Sequence, residues 1–212
     1  LLVRFTHWGK QFWQFAGGYL SPRRSIKPLL FFLLIVAMTL VSVRISLVHS
    51  EWYNNMYTSL QEFNEPVFWD QMVLFCVIAT SSVIAALLSY YLEQRFSIDW
   101  IEWLNGQLVD KWMGDRAYYK TQYVSANLDN PDQRIQQDVQ SYVRTTLSLS
   151  TGVIDAVTSM ISYTILLWGL AGPMMVFGTE IPRMMVFLVF AYVIITTAIA
   201  FRLGRPLIML NF

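Results

Sequence analysis

The amino-acid sequence predicts an all-α integral membrane protein with four membrane-spanning helices. Only 14% of its 212 residues are charged, whereas a soluble domain usually carries about 25%. The deficit lies in long runs: residues 71–92 and 184–201 have no charge, and 28–48 and 145–179 have one each. A helix of about 20 such residues crosses the roughly 30 Å of bilayer hydrocarbon. A soluble helical bundle is the alternative, but its helices rarely run about 20 residues without a charged face.

Positively charged residues set the predicted orientation, because Lys and Arg concentrate on the cytoplasmic side of membrane proteins. The segments 1–27 and 93–147 are rich in Lys and Arg, as is the end of the chain. The segments 49–67 and 172–183 hold four glutamates and a single base, Arg183. A cytoplasmic N-terminus follows. The predicted spans are about residues 29–48, 68–92, 148–171 and 184–203, and the predicted outer aromatic belt is Trp52, Tyr53, Tyr57 and Trp69.

The first 27 residues mix basic and aromatic side chains and are predicted to lie in the headgroup layer. Aromatic residues recur there at spacings of three and four, which gives a helix one apolar face. Gly17-Gly18 and Ser21-Pro22 are predicted to end that helix before the first span. The aromatic residues of this face are Phe5, Trp8, Phe12 and Phe15.

Composition excludes several classes of function. A net charge of +1 gives no case for a nucleic-acid partner. The single cysteine, Cys76, forms no internal disulfide, and the two histidines, His7 and His49, are far apart, so no metal site is predicted. The chain begins without Met and ends just past a span, so we expect a fragment of a longer protein.

The segment between the second and third spans is predicted to form a long cytoplasmic helical hairpin, about residues 93–147. Nothing from Phe68 to Gly114 forces the helix to stop, and a rod of 45–50 residues would be about 70 Å long. A second rod is predicted over 131–170, with the hairpin tip at about 119–130. Its N-terminal signature comprises Asn130 as the cap, Pro131 at the first helical position, Asp132 beside the helix dipole, and Gln133.

The run Asp129-Asn130-Pro131-Asp132-Gln133-Arg134-Ile135 resembles a segment of the YddA-like bacterial half-transporters related to the peroxisomal fatty-acyl ABC transporters. The resemblance extends from about residue 30 to the end. It implies ABC-exporter-type transmembrane helices, an ATP-driven homodimer in the bacterial inner membrane, and an ATPase domain beyond this chain. Supporting matches are Trp52 to Tyr57, Trp103-Leu104, Lys111-Trp112, Arg116 to Tyr119, and Leu147 to Ser150.

Cofactors are expected only in the missing domain. The sequence contains no Gly-x-x-x-x-Gly-Lys-Ser/Thr loop to cradle a nucleotide phosphate, so ATP and Mg²⁺ are implied for the ATPase domain and no enzymatic site is predicted here. Two alternatives stay open. One is a proton-driven peptide transporter of the SbmA/BacA type, which has a similar membrane domain but no ATPase domain; the other is a passive membrane anchor. The Asp-Asn-Pro-Asp start of the motif favours the ATP-driven branch.

Two sets of residues are candidate sites. The hairpin tip is the predicted docking site for the ATPase domain, although helix capping alone also explains several of its residues. Asp155 and Arg44 are charges within apolar spans, which mark a possible substrate pathway; the plain readings are a hydrated carboxylate and an arginine that reaches the interface. The predicted coupling residues are Tyr118, Tyr119, Asp129, Asn130, Pro131, Asp132, Gln133 and Arg134.

Overall fold

Long helices make up most of the structure, a computed structural model that describes residues 17–21, 26–114, 119, 131–176 and 179–210. Within these residues, four helices are long and apolar enough to cross a membrane. The predicted all-α membrane architecture is therefore confirmed. In chain order the elements are α1 (Ile26–Gln61), α2 (Glu65–Met113), α3 (Pro131–Leu170), β1 (Met174–Val176), β2 (Thr179–Ile181) and α4 (Met184–Leu210).

Helix α1 is much longer than the span predicted from hydrophobicity. It continues through residues 49–61, which adds about 20 Å at 1.5 Å per residue. The prediction that 49–67 forms an outer loop is therefore wrong for most of that segment. Polar residues after residue 48 end the apolar run, but none of them breaks a helix, and hydrophobicity and helicity are separate properties of a sequence.

A tight turn at residues 62–64 reverses the chain between α1 and α2. Phe63 adopts a left-handed backbone with φ of 52°, and Asn64 caps α2 by accepting a hydrogen bond from the Val67 N–H at 3.4 Å. Glu65 adds a negative charge in the first turn, where the helix dipole favours it. Helices α1 and α2 therefore form an antiparallel pair joined by this turn, at the end predicted to lie outside the cell.

Trp52 links α1 to α2 near this turn. Its indole Nε1 donates a hydrogen bond of 2.8 Å to the Gln71 carbonyl of α2, and its ring lies 4.9 Å from that of Phe75. The side chain is only 8% exposed. Trp52 therefore belongs to the α1–α2 interface, and its assignment to the outer aromatic belt is wrong. The other predicted belt residues, Tyr53, Tyr57 and Trp69, are exposed.

Both rods of the predicted hairpin are confirmed as long helices. Helix α2 has 49 residues and α3 has 40, which correspond to about 74 and 60 Å. Gly106 lies inside α2 without interrupting it. Helix α2 stops at Gly114, whose N–H donates to the Asp110 carbonyl, and α3 begins at Pro131 and ends at Leu170 as predicted.

A hydrophobic core joins α1, α2 and α3 near the predicted cytoplasmic membrane exit. On both α2 and α3 its residues recur every fourth position, so each helix contributes one ridge of side chains. Trp100 and Tyr142 meet edge to face across the two ridges, with ring centroids 6.2 Å apart. The core residues are Ile35 from α1, Phe96, Trp100 and Leu104 from α2, and Val139, Val143 and Leu147 from α3.

The chain divides into two compact units, Leu1–Ala156 and Val157–Phe212. The second unit contains a feature that the sequence did not predict, an antiparallel pairing of β1 and β2 within the predicted loop 172–183. Arg183 follows it with a left-handed backbone, φ 58°, and its guanidinium carbon lies 4.5 Å from the centroid of the Trp168 ring. This cation–π contact holds the Arg183 side chain beside the end of α3.

Replacing Phe96 by Ala tests the importance of the core. Phe96 is 1% exposed, so the substitution leaves a cavity and is expected to lower the free energy of unfolding by about 3–5 kcal/mol. Tyr91→Ala is the matched control on the same helix, because Tyr91 is 65% exposed; its expected cost is under about 1 kcal/mol. Denaturant unfolding in detergent micelles measures both. Equal losses for the two variants would contradict the assigned core.

Candidate functional site

The predicted coupling residues lie at and beyond the start of α3. Tyr118, Asp129 and Asn130 fall outside the described residues, and for Pro131 the structure describes only the backbone. Tyr119 is 51% exposed. The remaining three, Asp132, Gln133 and Arg134, are exposed in the first turn of α3.

These three side chains are exposed around the first turn of α3. The packed side of that turn is marked by Ile135, which lies against the hydrophobic core. With 100° between successive residues, Gln133 projects almost opposite Ile135, and Asp132 and Arg134 project to its two sides. The tip therefore presents a carboxylate, an amide and a guanidinium together. Such a set suits hydrogen bonding and ion pairing with another protein surface.

An apolar groove lies beside this turn, between α2 and α3. Its volume is about 260 Å³, and its single charged lining residue, Asp138, is exposed. The groove continues from the hydrophobic core towards the start of α3, since Leu104 and Val139 belong to both. Its lining residues are Leu104, Leu108, Ile135, Asp138, Val139 and Tyr142.

A short helical segment at residues 17–20 packs on α2 at the core. The ring of Tyr19 stacks on Trp100 with centroids 5.6 Å apart and an interplanar angle of 5°. Phe96 and Trp103 contact the same ring at 5.7 and 5.3 Å. Gly18 permits this approach, because a Cβ there would lie 3.2 Å from Cη2 of Trp103. Of the two predicted helix ends, Gly17-Gly18 is wrong, since both residues are helical, whereas the helical segment does stop before Ser21.

The surroundings of Tyr19 disfavour its phenolate. Burial, and secondly the negative charge of Asp99, raise the pKa of Tyr19 from 10.0 to about 12. Asp99 is itself 3.4 Å from Arg95, in an exposed pair on one face of α2. An exposed pair of this kind contributes little stability.

One polar atom in the core is unsatisfied. Trp100 is only 2% exposed. Its indole Nε1 is buried and has no hydrogen-bond acceptor among the described residues. An unpaired buried donor usually costs about 1–3 kcal/mol. Trp100 is therefore held at this position by its ring contacts and not by its polar atom.

Arg44 projects away from the α1–α2 interface. It follows the buried Ile35 by nine residues, or two and a half turns, and so lies on the opposite side of α1. It is exposed. Because α1 continues to Gln61, Arg44 lies near the middle of its helix.

Asp155 is exposed on α3, fifteen residues before that helix ends at Leu170. The hydroxyl of Thr151, one turn earlier, donates to the Leu147 carbonyl at 3.1 Å. Among the described side chains, neither Asp155 nor Arg44 has an ion-pair partner, since the ion pair present there is that of Arg95 with Asp99. The structure does not join the two intramembrane charges.

The model of the ABC transporter transmembrane region 2 family matches residues 16–212. The chain belongs to this family. It is 85% identical over all 212 residues to an uncharacterized ABC transporter ATP-binding protein of Haemophilus influenzae. It is also 32% identical over 188 residues, 86% of the chain, to the inner membrane ABC transporter ATP-binding protein YddA of Escherichia coli. A more distant relative is the chloroplastic ABC transporter D family member 2 of Arabidopsis thaliana, at 27% identity over 98% of the chain.

The chain spans only about a third of the length of these relatives, 36%, 34% and 28% respectively. As a member of the ABC transporter transmembrane region 2 family, it is a multi-pass membrane domain of an ABC transporter. The family match begins just before the segment that carries Tyr19. Sequence reasoning missed this segment's contact with α2.

The ionisation of Tyr19 supplies a test of its packing. A raised folded pKa means that the packed state favours the neutral phenol, so packing is fully stable below pH 10 and weakens as the pH rises from 10 towards about 12. Tyrosinate absorbance of the protein, with the Tyr19→Phe curve subtracted, is expected to show one tyrosine titrating near pH 12. A difference curve centred at pH 10 would show that this ring is not packed on α2.

Proposed function

We propose that the chain is the membrane domain of an ATP-driven half-transporter that moves a solute by alternating access. It works as a homodimer in the bacterial inner membrane, with a cytoplasmic N-terminus. ATP and Mg²⁺ bind an ATPase domain in the remainder of the full-length protein. The proposal is supported by the relatives, whose names describe ABC transporter ATP-binding proteins nearly three times as long as this chain.

The observation that carries the proposal is the length of α2 and α3 beyond the membrane. Helix α2 is about 74 Å long, more than twice the roughly 30 Å of hydrocarbon. A passive anchor does not need rods of this length. Rigid helices that continue from the bilayer into the cytosol can convert a displacement at their tips into a movement of the spans.

The tip is the proposed docking surface for the ATPase domain. Asp132, Gln133 and Arg134 are exposed in the first turn of α3. Tyr119, which follows the end of α2, is also exposed. We assign the same role to Tyr118, Asp129, Asn130 and Pro131 from their positions in the sequence. In this proposal, charged hydrogen bonds from the Arg134 guanidinium orient the ATPase domain on the tip, and the Tyr119 ring adds apolar contact area.

The intramembrane charges are proposed to line the pathway of the solute. Arg44 and Asp155 are both exposed on helices that are otherwise apolar within the spans. A charge facing hydrocarbon is expensive, so such residues usually face a water-filled cavity. Because Asp155 is negative and Arg44 positive, they would contact opposite charges of a polar or amphipathic solute.

Substitution of Arg134 tests the docking surface. In the purified full-length protein, Arg134→Ala is expected to lower ATP hydrolysis at least about tenfold, because a docking contact of about 1.4 kcal/mol or more is lost. Arg144→Ala is the matched control: Arg144 is also exposed on α3, about 15 Å further along the helix. Both variants must assemble as dimers. Unchanged hydrolysis in Arg134→Ala, or equal loss in both, would refute the docking role.

Cysteine accessibility tests the proposed pathway. In a full-length protein without other cysteines, Asp155→Cys is expected to react with a charged, water-soluble thiol reagent, because water reaches this position. Val153→Cys is the control, since Val153 is 61% exposed but lies about 160° around α3 and faces lipid in this proposal. A labelling ratio of at least about ten between the two positions is expected. Equal, slow labelling would place Asp155 outside any aqueous pathway.

A further inference from the structure

Tyr19 contacts α2 over two full helical turns. The three rings that surround it belong to Phe96, Trp100 and Trp103. Positions four and seven residues apart lie on one side of a helix and extend over about 10 Å of its axis. A single side chain wedged along this length resists both tilting and rotation of α2 relative to the segment that carries it.

The contact lies where α2 also packs on α1 and α3. Phe96 meets Phe31 and Phe32 of α1, with ring centroids 6.2 and 6.0 Å apart. On the α3 side, Trp100 meets Tyr142 at 6.2 Å. Residues 17–20 therefore add a third set of contacts at one level of α2. Beyond it, the rods enclose an open groove.

This level is the fulcrum of the proposed lever. From Trp100 to the end of α2 at Met113 the helix extends about 20 Å further, and in the other direction it enters the predicted span. A displacement of the tip moves the span only if α2 does not bend or shift sideways at the fulcrum. Loss of one contact side gives the helix that freedom, so part of the motion of the tip is no longer transmitted.

We infer that the segment 17–20 braces α2 at its exit from the membrane, and that Tyr19 is a positioning residue for coupling between ATPase and spans. The inference rests on the proposed function. Gly18 is part of the brace, because its missing Cβ allows the segment to reach Trp103. The aromatic ring of Tyr19 performs the role, so its hydroxyl is dispensable.

The test measures ATP hydrolysis and span movement separately in the full-length protein in lipid nanodiscs. Spin labels at Glu62→Cys, in the outer turn between α1 and α2, report the distance between the two copies with and without ATP and vanadate. The disruptive variants are Tyr19→Ala and Gly18→Leu. The conservative variant is Tyr19→Phe. Tyr90→Ala is the matched control, since Tyr90 lies on α2 but is 64% exposed.

Both disruptive variants are expected to hydrolyse ATP within about twofold of the unsubstituted rate and to reduce the ATP-induced distance change at least about fivefold. Tyr19→Phe and Tyr90→Ala are expected to retain both properties. A full distance change in Tyr19→Ala overturns the inference. So does a parallel loss of hydrolysis and dimer assembly in the disruptive variants, because that result marks an ordinary packing defect.

Failure of the proposed function gives a different result. If the unsubstituted full-length protein hydrolyses no ATP, or shows no change in the outer distance when it does, ATP-driven alternating access is refuted and the brace is refuted with it. If the unsubstituted protein shows both properties and Tyr19→Ala shows both unchanged, only the brace is refuted.

Discussion

Two ridges of side chains, one on α2 and one on α3, meet in the hydrophobic core that α1 also joins. Both repeat every fourth residue: Phe96, Trp100 and Leu104 face Val139, Val143 and Leu147. Side chains spaced in this way form a continuous row that packs against the row on a facing helix. Aqueous surroundings make this contact favourable through the hydrophobic effect, whereas within lipid the same apolar residues would gain little from meeting each other. The location of the ridges outside the predicted spans is therefore what allows them to define a core.

The core also explains why the long helices act as a lever in the proposed mechanism. A rod that passes freely through a bilayer transmits little force, whereas a rod held at one level pivots about that level. Helix α1 packs on α2 through Ile35 and the outer contact of Trp52 with Gln71, so α1 and α2 are fastened at two levels. At the tip, the described side chains of Asp132, Gln133 and Arg134 are exposed.

The polar residues divide into two groups with different physical settings. Those at the tip, such as Asp132 and Arg134, are exposed in a region predicted to be aqueous, where charge costs little and suits a reversible protein contact. Asp155 and Arg44 are exposed in spans where charge is costly. Within the described residues, these two side chains form no ion pair with each other. Their proposed role is therefore not to join helices. An unpaired Trp100 donor in the core adds a cost that the surrounding rings must offset.

The sequence by itself determined the four spans, the two long rods and the start of α3 at Pro131, because charge-free runs, missing helix breakers and a proline at the first helical position are local signals. It did not determine the continuation of α1 to Gln61 or the inward position of Trp52, since both follow from pairing with α2. The β1–β2 pairing was also missed, because three-residue strands are shorter than any reliable periodicity.

Among the candidate residues, the sequence identified Asp132 and Arg134 by type and position. Only the tertiary structure brought Tyr19 onto Trp100, because contacts between residues about 80 positions apart depend on how helices pack and not on the pattern within either segment.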